Sequence, residues 1–381
     1  MNLLDRHIFT SVLLTCAAAV GLFAFVVALP NVVKDLLTPL LAGQFGIGTF
    51  IRLVGLIIPF AVTYALPMGI LTGVLLTLGR LSADSEITAM RASGISVLQT
   101  ARPVLVLGVL CALAALYVNL ESAPWARTQF YRELAAAVRA NPLRVIEPKT
   151  FIRSFSGTVL YVGEKDGAIL RDIWLWELDD QSRVRRLVRA EAGRLDYEEA
   201  TNSLIPTFVN AKTEERDAEN PEDFSKSPNA PSARTTAGVR IALDKYFGRS
   251  LERRKDDWLP YDALRAKQAQ LAAEVPAPDK VGEMARKRME LSLILHEKFN
   301  LSLAVFAFAL IGVPLGIKVS RRETSANLGL ALLLVVGFYL LTVAVRWLDR
   351  RPELRPDLLL WLPNVLFIAL GVWLFSRIDR K

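Results

Sequence analysis

Six stretches of this chain are long and apolar enough to cross a lipid bilayer, and that feature limits its fold more than any other. They run Ile8 to Val33, Leu53 to Leu78, Pro103 to Leu120, Phe299 to Ile317, Leu328 to Val345 and Leu358 to Phe375. About 20 residues rising 1.5 Å each span the hydrocarbon core. A single such run can be the buried helix of a soluble protein, but six arranged three and three read as membrane spans. Pro59, Pro67 and Pro363 fall inside them, and neighbouring helices can satisfy the carbonyls that proline frees. The first run has about twice the apolar length of a signal peptide, with no small-x-small site closing it. It is expected to stay as an anchor.

Orientation follows from Lys and Arg near the span ends. With six spans both termini share a side. That side holds Arg6, Arg80, Arg91, Arg102, Lys318, Arg321, Arg322, Arg377, Arg380 and Lys381. The short segments opposite hold Lys34, Arg52, Arg346, Arg350, Arg351 and Arg355. The bias predicts cytoplasmic termini. Cytoplasmic anchors of this kind account for most of the +8 net charge, and no basic patch with interleaved aromatics points to nucleic acid. Cys16 and Cys111 are the only cysteines. Both lie inside spans, so no disulfide framework or metal set follows.

The long segment between the third and fourth runs has a different texture. GTVLYVG (Gly157 to Gly163), AILRDIWLWEL (Ala168 to Leu178) and RVRRLVRAEAGRLDY (Arg183 to Tyr197) partly alternate β-branched or aromatic residues with polar ones. SLIPTFVNAKT and AGVRIALD add two more such pieces, and Gly, Asp and Asn punctuate them. This predicts an external all-β module. Residues 214–236 are rich in charge, Pro and Ser, the composition of a disordered loop. From Tyr261 the pattern turns helical and is expected to run into the fourth span.

Several chemistries lack their residues. The sequence contains no G-x-x-x-x-G-K-[ST] loop to cradle ATP. His7 and His296, the two histidines, sit at span ends without a nucleophile or metal-ligand partner at a commending spacing; interfacial placement explains both. The apolar runs are almost free of Asp and Glu, which argues against ion-coupled transport.

One polar stretch stands out between the second and third spans. In LGRLSADSEITAMRASGIS (Leu78 to Ser96), Ser82 can cap a helix over residues 83–93, with Asp84 and Glu86 near its N-terminus and Gly94 as its stop. Ala83, Ile87 and Met90 share one face, Glu86 borders it, and Asp84, Thr88 and Arg91 form a polar stripe beside it. An interfacial helix lying on lipid normally carries Lys or Arg on its polar face. Two acids and one Arg suit a protein groove better, with Ile87 and Met90 inserted and Glu86 hydrogen-bonded.

Four segments resemble the lipopolysaccharide-export permease family, also called YjgP/YjgQ or LptF/LptG. LPMGILTGVLLTLGRLSADSEITAMRASGIS is similar to the family's second span and cytoplasmic coupling helix. RAEAGRLDYEEATNSLIPTFVNAKTEE is similar to two strands of its external domain. LILHEKFNLSLAVFAFALIGVPLGI resembles the fourth span with its G-x-P-L-G close, and LLLWLPNVLFIALGVWLF the last span with its W-L-P-N. The resemblance implies a membrane protein of the bacterial inner membrane. Six transmembrane α-helices carry a periplasmic β-jellyroll-like domain between helices 3 and 4. Residues 1–121 would hold the first three spans, 122–295 the β-rich domain and helical return, and 296–381 the last three spans. It implies an ABC-type exporter in which this chain pairs with a second six-span permease subunit, either a paralogue or a copy. A cytoplasmic ATPase dimer would bind ATP and Mg, and this chain would carry no cofactor. Lipopolysaccharide would pass to a membrane-anchored periplasmic jellyroll bridge protein. Glu86, Ile87, Met90 and Arg91 would then be the ATPase-coupling residues. The insert at 214–236 is long for the family.

A lipid carrying phosphates at headgroup level needs cations at the outer rim of the spans. Lys34, Arg52 and Arg346 lie at span ends, and Arg127 and Arg132 follow the third span. Snorkelling of span-end cations is the ordinary alternative. A lipoprotein-release permease would place its large domain after the first span. An envelope-lipid enzyme would need a polar catalytic cluster, and a scaffold would show no lipid-stimulated ATPase activity.

Overall fold

The computed structural model describes residues 3–41, 45–140, 148–153, 157–167, 169–179, 181–198, 203–217, 221, 229, 232–237, 241–242, 256–274, 281–318, 324–350 and 352–378. Six helical segments among them are long and apolar enough to cross a membrane, three before a β-sheet region and three after it. The helices are α1 (Leu3–Val32), α2 (Ile47–Ala83), α3 (Glu86–Ala92), α4 (Val97–Tyr117), α5 (Ala123–Ala140), α6 (Tyr261–Ala273), α7 (Val281–Lys318), α8 (Thr324–Arg346) and α9 (Leu362–Ile378). Each apolar run read from sequence falls within these helices and their short flanking turns. A π-helical turn, Val118–Ser122, joins α4 to α5.

The chain divides into two units. The first comprises residues 1–32, 55–129 and 255–381. Its axis is α7, whose apolar window is 78% buried against 17–39% for the other five spans. One side of α7 contributes Val305, Ala309 and Val313 to a core with Ile8, Val12, Ile70, Val74, Leu78 and Val104. Its other side buries Phe308 with Phe338 and Phe367, at ring separations of 5.3 Å or less from Phe308. Without a hydrophobic drive between helices in lipid, small residues set how closely they pack. A Cβ built on Gly69 or Gly73 of α2 would sit 2.4 Å from Val20 and 2.5 Å from Cys16 of α1. Gly316, in the G-x-P-L-G segment, faces Leu78 in the same way. These motif glycines allow helix backbones to touch.

The second unit, residues 33–54 and 130–254, contains one antiparallel sheet. Its strands are β1 (Phe151–Ile152), β2 (Thr158–Asp166), β3 (Ile169–Leu178), β4 (Val184–Glu198), β5 (Ser203–Glu215), β6 (Ser232–Ala237) and β7 (Ile241–Ala242). β1 to β6 pair in sequence order, and β7 pairs the start of β5. Alternation puts Leu160, Val162, Ile173, Leu175, Val188 and Phe208 in a shared core. The β-rich domain expected from sequence is this sheet, a meander in its described strands. The disordered loop expected over 214–236 needs correcting at both ends. Glu214 and Glu215 belong to β5, and Ser232 to Thr236 belong to β6, which pairs Lys212 to Thr207 of β5. β-Branched Thr235 and Thr236 suit a strand despite the polar composition around them. Residues 218–220, 222–228 and 230–231 lie outside the described residues, as do 238–240, 243 and 244 of AGVRIALD.

Candidate functional site

Two features of the first unit bear on function, one following the C-terminal end of α2 and one beside Phe60 to Tyr64 of the same helix. At its C-terminal end the chain breaks helix at Asp84 and Ser85, with Ser85 in the left-handed region at φ 62°. The helix predicted over 83–93 therefore starts at Glu86, and Ser82 is not its cap. Ser82 lies in the last turn of α2, and its Oγ donates to the Ile317 carbonyl of α7 at 3.1 Å. At the other end Gly94 adopts φ 82°. Its N–H bonds the Arg91 carbonyl and that of Ile95 bonds the Met90 carbonyl, closing α3 in a Schellman turn. Ser96 and Gln99 then form a capping box that starts α4.

This geometry corrects the expected role of two side chains. Ile87 is 3% exposed and Met90 8%, both packed into the chain's own core with Leu78, Leu81, Ala101 and Val104. They are not free to enter a partner's groove. A two-turn helix clamped between two spans meets the apolar surface of its neighbours first, and burying each residue there is worth about 1.5–3 kcal/mol. Glu86, Thr88, Ala89, Arg91 and Ala92 are the exposed residues, three of them polar and the other two alanines. The outward face of α3 is thus polar.

Beside Phe60, Thr63 and Tyr64 of α2 is a cavity of about 270 Å³, lined by residues of α2, α5, α7, α8, the π turn and the 3₁₀ turn Asp256–Trp258. It brings together two of the predicted cations, Arg127 and Arg346. Arg346 Nη2 lies 3.1 Å from Glu297 Oε2, whose side chain is 15% exposed. The Arg127 guanidinium sits over two rings, 4.5 Å from the centre of Phe60 and 5.1 Å from that of Trp258. Lys34, Arg52 and Arg132 are exposed residues of the second unit and do not line this cavity.

Sequence reasoning missed the other polar residues here, Asn119, Asp257, Glu297 and Lys298 among them. Lys298 Nζ donates to the carbonyls of Asn119 at 3.1 Å and Leu259 at 3.2 Å. This joins the exit of the third span, the start of the fourth and the return from the inserted domain. Asn119 donates to Ser302 Oγ at 2.9 Å, and Glu297 holds Arg346. The signal was present in HEKFN (His296 to Asn300), two adjacent charges opening an apolar run.

The same segment explains a second motif. His296 Nδ1 accepts a bond from Trp361 Nε1 at 3.0 Å. Asn364, fully buried, donates to the Asn300 carbonyl at 2.8 Å and to the Asn300 side chain, while Asn300 donates to the Leu360 carbonyl. The H-E-K-F-N and W-L-P-N segments thus lock α7 to the start of α9.

Comparison with known proteins decides the family. The family model described as "Lipopolysaccharide export system permease LptF/LptG" matches residues 6–377. This chain belongs to the LptF/LptG family. It is similar to the lipopolysaccharide export system permease protein LptF of Escherichia coli strain K12, with 24% identity over 340 residues. That match covers 87% of this chain and 83% of the relative. LptF of Shigella flexneri is similar to the same extent. As an LptF/LptG permease the chain is a multi-pass membrane transporter subunit of the lipopolysaccharide export system, not a catalytic enzyme.

Proposed function

We propose that this LptF/LptG permease works in an ATP-driven exporter that extracts lipopolysaccharide from the inner membrane and hands it to a periplasmic jellyroll bridge. Its termini and α3 are cytoplasmic, and its sheet is periplasmic. A separate ATPase dimer binds ATP and Mg and docks on α3. A second six-span subunit, a copy or a paralogue, completes the lipid cavity. The observation that carries this reading is the construction of α3. Its apolar residues anchor it in the chain's own core, while Glu86 and Arg91 face outward beside a chain that carries no phosphate-binding loop. Coupling then works through rigid seating. Ile87 and Met90 transmit motion to α2 and α4, and Glu86 and Arg91 meet the ATPase through charge-assisted hydrogen bonds, each worth about 1.5–3 kcal/mol. Lys34, Arg52 and Arg132, exposed and at or near span ends, are the candidates to meet lipopolysaccharide phosphate, while Arg127 and Arg346 line the cavity.

The test of orientation is a pair of single cysteines in a background lacking Cys16 and Cys111. An impermeant thiol reagent added from the periplasm should label Lys149→Cys and spare Thr88→Cys; both positions are exposed. The reverse pattern would contradict the topology. The test of substrate contact is photo-crosslinking around Lys34. Lys34→Asp should reduce lipopolysaccharide crosslinking and Lys34→Arg should largely keep it, and unchanged crosslinking in the Asp variant would return Lys34 to a snorkelling anchor.

A further inference from the structure

The cavity beside Phe60 to Tyr64 of α2 has unspent polar capacity of a particular kind. Glu297 and Arg346 are paired, and Lys298 is committed to two carbonyls. Arg127 has no carboxylate partner among the described residues. Phe60 and Trp258 hold its guanidinium near their rings, and a guanidinium stacked on rings keeps its in-plane N–H edge for an oxyanion. Asn119 is 4% exposed, and its Oδ1 is buried with no hydrogen-bond donor. A buried acceptor left unmet costs about 1–3 kcal/mol, so this oxygen calls for a donor from outside the chain. Asp257, exposed, lines the same cavity. The open groups are one cation, one neutral acceptor and one carboxylate.

We infer that this cavity holds the headgroup of a zwitterionic phospholipid bearing a primary ammonium, its phosphate on Arg127 and its ammonium on Asn119 Oδ1 and Asp257. Three features favour this occupant. Its polar groups come from span ends, with Asn119 closing the third apolar run, Lys298 preceding the fourth and Arg346 following the fifth, which puts them at headgroup level, while Phe60 and Tyr64 extend the lining into the second run. Its volume suits a headgroup, with the acyl chains left outside among the apolar helices. Its charges are mixed. A lipid with two phosphates and no cation would find one uncommitted Arg and would bring its second phosphate towards Asp257 and Glu297. A primary ammonium supplies the N–H that Asn119 lacks, whereas a quaternary ammonium does not. The bound lipid would fill the junction of the second, third, fourth and fifth spans as a structural component, separate from the exported lipid.

The experiment is native mass spectrometry of the permease with its partner subunits. The complex is extracted from vesicles of equal phosphatidylethanolamine, phosphatidylcholine and phosphatidylglycerol with matched acyl chains, doped with lipopolysaccharide. The ethanolamine lipid should be retained about tenfold over the other two phospholipids, the effect of one charge-assisted hydrogen bond. Arg127→Gln should lower that retention about tenfold. Asp257→Asn, on an exposed residue, should narrow the preference over phosphatidylglycerol and carries the test if Arg127→Gln fails to assemble. Equal retention of all three phospholipids, a preference unchanged in Asp257→Asn, or displacement of the ethanolamine lipid by lipopolysaccharide or inorganic phosphate would overturn the inference. Lipopolysaccharide export is read separately. Its loss with phospholipid retention intact would count against the transport reading alone.

Discussion

Two sites along α2 use charge in different ways. At α3 the apolar side chains point in and the charges point out: Ile87 and Met90 are buried while Glu86 and Arg91 are exposed. At the cavity charged groups converge among the helices. Arg346 pairs with the largely buried Glu297, Lys298 ties two carbonyls from different segments, and Arg127 lies against aromatic rings. An exposed charge costs little to keep and is available to a partner. A charge among helices is retained only when its hydrogen bonds are met. The first arrangement suits docking, and the second suits holding helices together and receiving a lipid headgroup.

The sharpest way to break this contrast is Ile87→Asp, which puts an unpaired charge into the core beside Leu78 and Ala101. The expected loss is about 3 kcal/mol or more, read as a collapse of thermal stability in detergent. A stable Ile87→Asp protein would mean that α3 is not seated as described. Lys298→Met should come next. It keeps the apolar stem but leaves the Asn119 and Leu259 carbonyls without their donor, costing about 2–4 kcal/mol. Increased proteolysis near Leu259, ahead of global unfolding, would be its signature, and stability equal to the parent protein would show that the ammonium bonds contribute nothing net. Glu86→Ala and Arg91→Ala should have the smallest effect on the fold, within about 0.5 kcal/mol of the parent protein. A large destabilisation in either would erase the distinction between the two sites.

The spans were legible because lipid permits few solutions for the backbone: an apolar run of sufficient length must be a helix. The strands were legible where alternation survived, as in Tyr161 and Val162 or Trp174 and Leu175. β6 was not, because SARTTA carries no large apolar residue and its pairing is set by β5. In α3 the periodicity correctly grouped Ile87 with Met90, but periodicity names a face without saying what covers it. The chain's own α2 and α4 cover it. Ser82 has a capping residue's chemistry, and a bond to Ile317, far away in sequence, claimed its hydroxyl. The cavity was half legible. Arg127 and Arg346 stand out in the sequence as cations at or near span ends, yet nothing in one sequence says that they share a cavity or that Glu297 pairs with one of them. Lys34, Arg52 and Arg132 stand out on the same grounds, and they line no part of it.

In the proposed mechanism the polar face of α3 transmits work from a separate ATPase to the membrane helices. Reconstituting the Glu86→Ala permease with its ATPase and partner subunits in vesicles tests it directly, with stability, lipopolysaccharide crosslinking and ATP-dependent lipopolysaccharide release read on the same preparation. Stability and crosslinking should match the parent protein, with ATPase association or ATP-driven release reduced about tenfold or more, as loss of a charge-assisted hydrogen bond implies. Normal ATPase binding together with normal lipid release would contradict it.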